Sequence, residues 1–186
     1  LLVGERGTGK TTLAHLVRAR SEFRSNKKEW PVVVCGQFRA NPELARSELF
    51  GHKKGAYTGA DADRDGVLTK VDGDTLFLDE IADLDRTTQR LLIAAIEGRG
   101  FHRLGDDKRR TANFRLITAT NRPLTQLVGE GGIDPDFYDR IATFVAKVPP
   151  LRERREDLPA LWRSVLQRAA RGMELDPAEL DALERD

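Results

Sequence analysis

The stretch Gly4-Glu5-Arg6-Gly7-Thr8-Gly9-Lys10-Thr11 determines how this chain is interpreted, because it fits the spacing G-x-x-x-x-G-K-[ST]. Glycines at these positions let the backbone bend tightly, so that consecutive N–H groups can approach phosphate oxygens closely. The preceding residues Leu1-Leu2-Val3 are typical of a buried strand. After the stretch, Leu13, Leu16 and Val17 recur at helical spacing. The stretch is therefore predicted to be a phosphate-binding loop between a strand and a helix, whose N-terminus also favours anions.

This loop predicts that the chain binds a nucleoside triphosphate together with Mg²⁺. In the pattern, Lys10 reaches the β- and γ-phosphates and the hydroxyl of Thr11 can bind the metal. A chance match in a glycine-rich turn is the alternative, and the flanking strand and helix patterns disfavour it. ATP and Mg²⁺ are the expected cofactors, and the predicted nucleotide contacts are Gly4, Glu5, Arg6, Gly7, Thr8, Gly9, Lys10, Thr11 and Thr12.

The composition suits one domain, or one domain with a small appendage, over 186 residues. A formal net charge of +1 gives no reason to expect nucleic acid or a membrane as the partner. Cys35 is the only cysteine, which rules out an internal disulfide and fits a reducing cytosol. No apolar run approaches the ~18 residues of a membrane span, so we expect a cytoplasmic protein. Because the chain starts almost inside the phosphate loop, it is expected to be a fragment.

Strand and helix patterns alternate along the chain, which indicates an α/β fold with a parallel sheet covered by helices. Besides the first strand and helix, helices are predicted at 42–50 and 86–98, and strands at 31–35, 75–78, 114–119 and 143–148. The strand at 31–35 is a continuous run of mainly β-branched residues, so we expect it to be fully buried.

Pro149-Pro150 ends the alternating pattern, and helical patterns follow it. One is an amphipathic helix over 158–169, and a last helix is expected to begin at Asp176-Pro177. We therefore predict two parts. Residues 1–150 form a nucleotide-binding subdomain truncated at its N-terminal edge, and residues 151–186 form the start of a truncated helical lid.

Two adjacent acids, Asp79 and Glu80, follow the apolar strand residues Leu76-Phe77-Leu78. Burying two carboxylates costs too much free energy unless a cation meets them, and Mg²⁺–ATP can be that partner. Asp79 is predicted to hold the metal and Glu80 to orient and deprotonate the attacking water. The alternative is the solvated acidic turn of an ordinary strand end. Because a small-molecule kinase does not need the second acid, the pair favours an ATPase.

Two further polar residues are predicted to take part in catalysis. Asn121 ends a predicted strand, where it could contact the γ-phosphate or the attacking water, and the alternative is a turn asparagine. Arg140 lies far from the phosphate loop in sequence and is predicted to be inserted into the site of a neighbouring subunit. The alternative for Arg140 is a local salt bridge to Asp136 or Asp139.

A long specific match lies between the phosphate loop and the acid pair: Ser47-Glu48-Leu49-Phe50-Gly51-His52-Lys53-Lys54-Gly55-Ala56-Tyr57-Thr58-Gly59-Ala60. This string is close to S-E-L-F-G-H-x-K-G-A-F-T-G-A, and with it the chain resembles the AAA+ domain of sigma-54-dependent transcriptional activators, the bacterial enhancer-binding proteins. Further matches extend over nearly the whole chain: T-L-F-L-D-E-I at 75–81, F-H-R-L-G at 101–105, A-T-N-R at 119–122 and V-P-P-L-R-E-R at 148–154.

The resemblance implies a P-loop NTPase AAA+ fold, with a parallel sheet sandwiched by helices and an incomplete C-terminal helical lid. It also implies a loop that engages sigma-54, formed by Gly55, Ala56, Tyr57, Thr58, Gly59 and Ala60. We expect Tyr57 to be an exposed aromatic at the tip of this loop, because packing does not explain its position.

The function implied by the resemblance is transcriptional activation. A homo-oligomeric ring, a hexamer or heptamer, would hydrolyse ATP and thereby remodel the closed complex of sigma-54 and RNA polymerase. DNA would be contacted only through a domain that this fragment does not contain.

The chain departs from the family pattern at several positions. Tyr57 replaces the usual phenylalanine, and Thr11 stands where glutamate is frequent. Gly36 stands where an asparagine usually restrains the catalytic glutamate, so the usual coupling of the loop to hydrolysis is not expected to carry over unchanged. Asp134 replaces the first of two arginine fingers, which leaves Arg140 as the second. The second sensor arginine of the lid is expected beyond Asp186.

Three other functions remain open at this point. A P-loop small-molecule kinase would need an acceptor site and would not need the loop at 55–60. A nucleotide-dependent scaffold would keep the fold and hydrolyse ATP weakly. An AAA+ motor of the same family could act on a client other than sigma-54.

Overall fold

The computed structural model describes residues 1–25, 30–129 and 132–173. Its strands, in chain order, are β1 Leu2–Val3, β2 Val32–Val34, β3 Gly51–His52, β4 Arg64–Asp65, β5 Thr75–Asp79, β6 Arg115–Thr120 and β7 Ala146–Lys147. Five of them form a parallel sheet in the order β2-β5-β6-β1-β7, and β3 pairs with β4 in a separate antiparallel hairpin. The predicted α/β fold with a parallel sheet and flanking helices is confirmed.

The helices are α1 Lys10–Ala19, α2 Pro42–Phe50, α3 Val67–Lys70, α4 Arg86–Ile96, α5 Leu124–Gly129, α6 Pro135–Ile141 and α7 Leu158–Met173. Short 3₁₀ turns occupy Cys35–Phe38, Ile81–Asp83, Leu151–Glu153 and Arg155–Asp157. Helices α3, α5 and α6 were not predicted, because four, six and seven residues are too few to display a helical period. None of the described helices is both long and apolar enough to cross a membrane.

The internal contacts of the chain divide it into two compact units, one over Leu1–Val148 and a second that begins at Pro149. The assignment of 1–150 to nucleotide binding and of 151–186 to a lid stays a prediction. Residues 174–186, with the helix expected at Asp176-Pro177, lie outside the described residues.

Strand β2 differs from the fully buried strand that its sequence predicted. Val33 is buried, but Val32 and Val34 are 39% and 40% exposed. The reason is the strand order: β2 lies at the edge of the sheet, where β5 is its neighbour. A strand at the edge has a neighbour on one side only, and here the face that carries Val32 and Val34 is only partly covered, so an apolar run alone does not distinguish an edge strand from a central one.

Strand β5 is the buried centre of the sheet. Leu76 and Leu78 belong to one apolar cluster and Phe77 to another, and all three side chains have no exposed surface. Successive side chains of a strand point to opposite faces, so both faces of β5 are covered. This burial fixes the position of Asp79, the last residue of the strand.

The other end of β5 is held to α1 by a buried ion pair. Arg18 donates through Nε and Nη2 to the two carboxylate oxygens of Asp74, each over 2.7 Å. Asp74 is 1% exposed and also accepts from the Ser25 hydroxyl at 2.5 Å and from the Thr75 backbone N–H at 2.7 Å. Burial alone would raise the pKa of Asp74, but these hydrogen bonds outweigh it and hold the pKa well below its usual range.

Asp74→Ala should lower the free energy of unfolding by about 3–5 kcal/mol, because it leaves the Arg18 guanidinium without its buried partner. A depressed carboxyl pKa stabilises the fold above the unfolded value of about 4. The stabilisation is lost as pH falls below that value toward the folded pKa. Denaturant titrations at several pH values measure both effects.

Asp107→Ala is the matched control, since Asp107 is an exposed aspartate. It should change the unfolding free energy by less than about 0.5 kcal/mol. An Asp74→Ala protein as stable as this control, with the same pH profile, would show that the ion pair does not tie α1 to β5.

Candidate functional site

The phosphate loop turns from β1 into α1 through backbone conformations that glycine permits. Gly9, which precedes the first turn of α1, has φ +94° in the left-handed region. Gly4 is needed for space, because a Cβ there would lie 2.5 Å from the carbonyl oxygen of Val148. The loop therefore packs directly on the chain that follows β7.

Lys10 is held inside this loop. Its side chain is 8% exposed, and Nζ donates to the carbonyl oxygens of Gly4 at 2.7 Å and Glu5 at 2.8 Å. Burial lowers the pKa of Lys10, and the negative charges of Asp79 and Glu80 act in the opposite direction. The ammonium thus lies within electrostatic reach of both acids.

A cavity of about 340 Å³ brings most of the predicted site residues together. Asp79, Glu80 and Asn121 line it with six residues of the loop and helix: Arg6, Gly7, Gly9, Lys10, Thr11 and Thr12. The sheet order explains this grouping, because β6 lies between β5 and β1 and the carboxyl ends of parallel strands meet at one edge. The other predicted contacts, Gly4, Glu5 and Thr8, do not line the cavity. Gly4 and Glu5 instead accept hydrogen bonds from Lys10, and Thr8 donates to Glu5.

The Thr11 hydroxyl and the Asp79 carboxylate are hard oxygen donors of the kind that Mg²⁺ prefers, and both belong to this cavity. Within the described part of the chain, no group of three or more His, Cys, Asp or Glu side chains could hold a metal ion by itself. Mg²⁺ in proteins is commonly held by one or two side-chain oxygens and keeps several waters, so this donor set fits Mg²⁺.

The backbone of Glu80 is unusual. Its φ of 53° lies in the left-handed region, and it is the one non-glycine residue with positive φ among those described. Such a conformation costs about 1–3 kcal/mol and is concentrated at functional sites. The Asp79 carboxylate accepts from the Glu80 backbone N–H at 2.9 Å, which supports the turn.

The Glu80 side chain lies between Arg6, which sequence reasoning did not connect with it, and Gly36, at the position where the family usually has a restraining asparagine. Arg6 donates through Nη2 to Glu80 Oε1 at 3.2 Å. Oε2 lies in the space beside Gly36, where a Cβ would be only 2.0 Å away. The φ of Gly36 lies outside the left-handed region, so space explains this glycine and backbone conformation does not.

A second arginine–carboxylate pair borders the same space. Asp83 Oδ2 lies 3.3 Å from the position of a Cβ on Gly36, and Asp83 Oδ1 accepts from Arg122. Arg122 comes directly after Asn121, so the pair joins the end of β6 to the turn after Glu80. The A-T-N-R string contains this arginine, and sequence analysis gave it no partner.

Arg140 does not line the cavity. It lies on α6, 53% exposed, and its Nε donates to Glu97 Oε1 at 2.6 Å. This hydrogen bond is the main reason that the pKa of Glu97 is lowered. The local alternative for Arg140 named Asp136 or Asp139 as its partner, and that was wrong, because α6 packs beside α4 and brings Glu97 within reach.

Asp134 has a structural task at the start of α6. Its carboxylate accepts from the backbone N–H of Asp136 at 3.1 Å, and Pro135 occupies the first helical turn. Arg90 contacts the same carboxylate at 3.3 Å. An arginine at 134 could not cap this helix, because a guanidinium has no acceptor.

The loop at 55–60 folds back on itself, and its aromatic residue is not exposed as predicted. Tyr57 is half-buried, with its ring edge-on to His52 at 5.1 Å and its hydroxyl 3.3 Å from Ser47 Oγ. Ser47 Oγ also lies 2.7 Å from His52 Nδ1, so the three polar side chains form one cluster. Thr58 is exposed, and the backbone closes between Gly55 N–H and Ala60 carbonyl at 2.8 Å.

Comparison with known proteins places these features in one family. Residues 1–147 match the family described as the Sigma-54 interaction domain. The chain is 44% identical over 170 residues to the transcriptional regulatory protein ZraR of Klebsiella oxytoca, covering 91% of this chain and 38% of that protein. It is 40% identical over 171 residues to the DNA-binding transcriptional regulator NtrC of Escherichia coli, covering 92% and 36%.

A solved structure agrees with these sequence relatives. NtrX from Brucella abortus in complex with ATP superposes with a TM-score of 0.78 at 27% identity, over 100% of this chain and 42% of that one. Measured against the two sequence relatives, ZraR and NtrC, the chain spans less than two fifths of the length of each.

Proposed function

This chain belongs to the sigma-54 interaction domain family, and we propose that it is an AAA+ module that hydrolyses ATP to remodel the closed complex of sigma-54 RNA polymerase. The observation that carries the proposal is the cavity shared by the phosphate loop, Asp79, Glu80 and Asn121. Phosphoryl transfer to water requires a loop that binds the phosphates, acids that hold the metal and activate the water, and a polar residue that orients the reactants. All of these lie at one edge of the sheet.

Nucleotide binding follows from the chemistry of the loop. Its backbone N–H groups and Lys10 supply positive charge to the β- and γ-phosphates, while Thr11 and Asp79 hold Mg²⁺. The metal, when bound, neutralises charge on the phosphate oxygens. The ATP complex of NtrX supports this assignment at the level of the family.

Hydrolysis needs a base for the attacking water. Two acids line the cavity, and since Asp79 would hold the metal, Glu80 is the one available as the base. Glu80 would take the proton of the water, and Asn121 would orient the water or the γ-phosphate from the end of β6. The left-handed backbone of Glu80 is consistent with a residue whose direction matters more than its local stability.

The loop Gly55–Ala60 would contact sigma-54. It lies outside the residues that line the cavity, and Thr58 at its tip is exposed while Tyr57 is packed. Movement of the loop during the ATP cycle would release Tyr57 from His52 and Ser47. RNA polymerase would then be engaged through sigma-54, in the cytoplasm, with DNA contacted by a part of the protein outside this chain.

Ring assembly would complete the site. Arg140 is exposed, lies outside the cavity of its own subunit, and is held by Glu97 at the surface. In a hexameric or heptameric ring, Arg140 would exchange Glu97 for the γ-phosphate bound by the neighbouring subunit.

A nucleotide-dependent scaffold with weak hydrolysis is the second candidate function. The observation in its favour is that Glu80 is paired with Arg6 and lies in the space beside Gly36. A base held in this way would be slow to act on water. A turnover measurement on the purified, assembled protein separates the two functions.

Lys10→Ala should abolish ATP binding, because it removes the cation that faces the β- and γ-phosphates. Glu80→Gln should bind ATP and lose about 10²–10⁴-fold in turnover, since an amide cannot accept the proton of the water. Equilibrium binding of labelled ATP and a phosphate-release assay measure the two steps. Turnover of Glu80→Gln at the parental rate would remove Glu80 as the base.

Thr58→Ala should reduce binding of sigma-54 when a transition-state mimic of the γ-phosphate is present, and leave ATP turnover within a few-fold. The reason is that Thr58 is exposed at the loop tip and outside the cavity. Co-sedimentation with purified sigma-54 measures the binding. Thr125→Ala, at an exposed threonine on α5, is the control; if both variants bind sigma-54 equally well, the family motor acts on another client or the loop is only structural.

Arg140→Ala should bind ATP and lose about 10³–10⁵-fold in turnover, the contribution of an arginine supplied in trans. Mixing it with Glu80→Gln should restore some activity, because an intact Glu80 site can then receive Arg140 from its neighbour. Parental activity per mole should also rise with protein concentration. Arg20→Ala, at an exposed arginine at the end of α1, is the control; activity independent of concentration and no rescue on mixing would make Arg140 an ordinary surface residue.

A further inference from the structure

Arg6 and Glu80 form an ion pair across the phosphate cavity. The two residues are 74 positions apart in sequence, and both line the cavity. Arg6 belongs to the phosphate loop, so its guanidinium lies where the charge of a bound triphosphate will be felt. The same arginine therefore faces two anions, the Glu80 carboxylate and the nucleotide.

The position of the Glu80 carboxylate depends on Gly36. Its Oε2 lies in the space beside this glycine, where even the Cβ of an alanine would be 2.0 Å away. The Asp83 carboxylate borders the same space and repels the Glu80 carboxylate, because both are negatively charged. The Arg6 contact supplies the opposite charge that keeps the Glu80 carboxylate there.

The Arg6–Glu80 ion pair is weak enough for a bound triphosphate to replace the carboxylate. The Arg6 side chain is 80% exposed and that of Glu80 26%, and exposed ion pairs contribute little because water screens them. A triphosphate carries several negative charges into a partly enclosed cavity, where Coulomb attraction is stronger than at the surface. Arg6 can therefore exchange one carboxylate for the more highly charged phosphates.

We propose that Arg6 is a positioning residue for Glu80. Arg6 holds the Glu80 carboxylate against Gly36 until a bound triphosphate competes for the guanidinium, and Glu80 is then free to act as the base. The inference rests on the proposed function, because it requires ATP in this cavity. Gly36 has no side chain that could restrain Glu80, and the proposal assigns that restraint to Arg6 of the phosphate loop.

A double-mutant cycle on ATP binding tests the exchange. The four proteins are the parent, Arg6→Ala, Glu80→Gln and the double variant, each with Mg²⁺ and a non-hydrolysable ATP analogue in a calorimeter. Glu80→Gln removes the repulsion between its carboxylate and the phosphates in both backgrounds. Only where Arg6 is present does it also remove the competing partner. Glu80→Gln should therefore tighten binding about twofold to fivefold more in the parent than in the Arg6→Ala background, the range that an exposed ion pair can supply.

The control uses an ion pair outside the cavity whose glutamate is as exposed as Glu80. Arg64 pairs with Glu48 at 2.9 Å, with side chains 50% and 26% exposed. Combining Arg64→Ala with Glu80→Gln should give additive effects on binding. Thermal unfolding of each variant checks that the fold is kept.

The outcomes separate this inference from the proposed function. Equal tightening by Glu80→Gln in the parental and Arg6→Ala backgrounds would mean that the pair survives nucleotide binding, and would overturn the exchange while ATP binding stands. A parent protein that does not bind the analogue at all would overturn the proposed function itself.

Discussion

The carboxyl end of β5 is the constraint around which the site is organised, since a strand covered on both faces ends there in two acids. Leu76, Phe77 and Leu78 have no exposed surface, so the strand has no freedom to move its end toward solvent. Adjacent carboxylates in such a place need cations nearby. The phosphate loop and the first turn of α1 supply them through Arg6 and Lys10.

The same helix also holds the beginning of the strand. Arg18, in the last turn of α1, pairs with Asp74 just before β5, and Lys10, in its first turn, faces the acids after it. A cationic side chain of α1 therefore faces the acidic residues at each end of β5. Because the helix begins in the phosphate loop, the contacts that stabilise the sheet also set the distance between that loop and the acids.

Much of this could be predicted from the sequence, for reasons that are local. The apolar runs at β5 and β6 mark buried strands, and the rule that parallel strands share a carboxyl edge predicts Asn121 at the same edge as Asp79 and the phosphate loop. The strand order, with β6 between β5 and β1, is what makes them neighbours. The edge position of β2 was not predictable, because it depends on which strand each connection crosses. Asp134-Pro135 has the local form of a helix start, an acidic N-cap followed by proline, and position 134 serves that purpose in place of the family's first arginine finger.

Side-chain partners account for the rest, since they join residues far apart in the chain. Nothing in the sequence connects Arg6 to Glu80 or Arg122 to Asp83, and both pairs are needed for the same reason. A glycine at 36 leaves a space into which two carboxylates turn, and each then needs its own arginine. A side chain at 36 would fill that space and displace Glu80, while an arginine at 6 would lose its partner. Gly36 leaves the volume and Arg6 supplies the charge that together place the Glu80 carboxylate, so a substitution at either position changes what the other contributes.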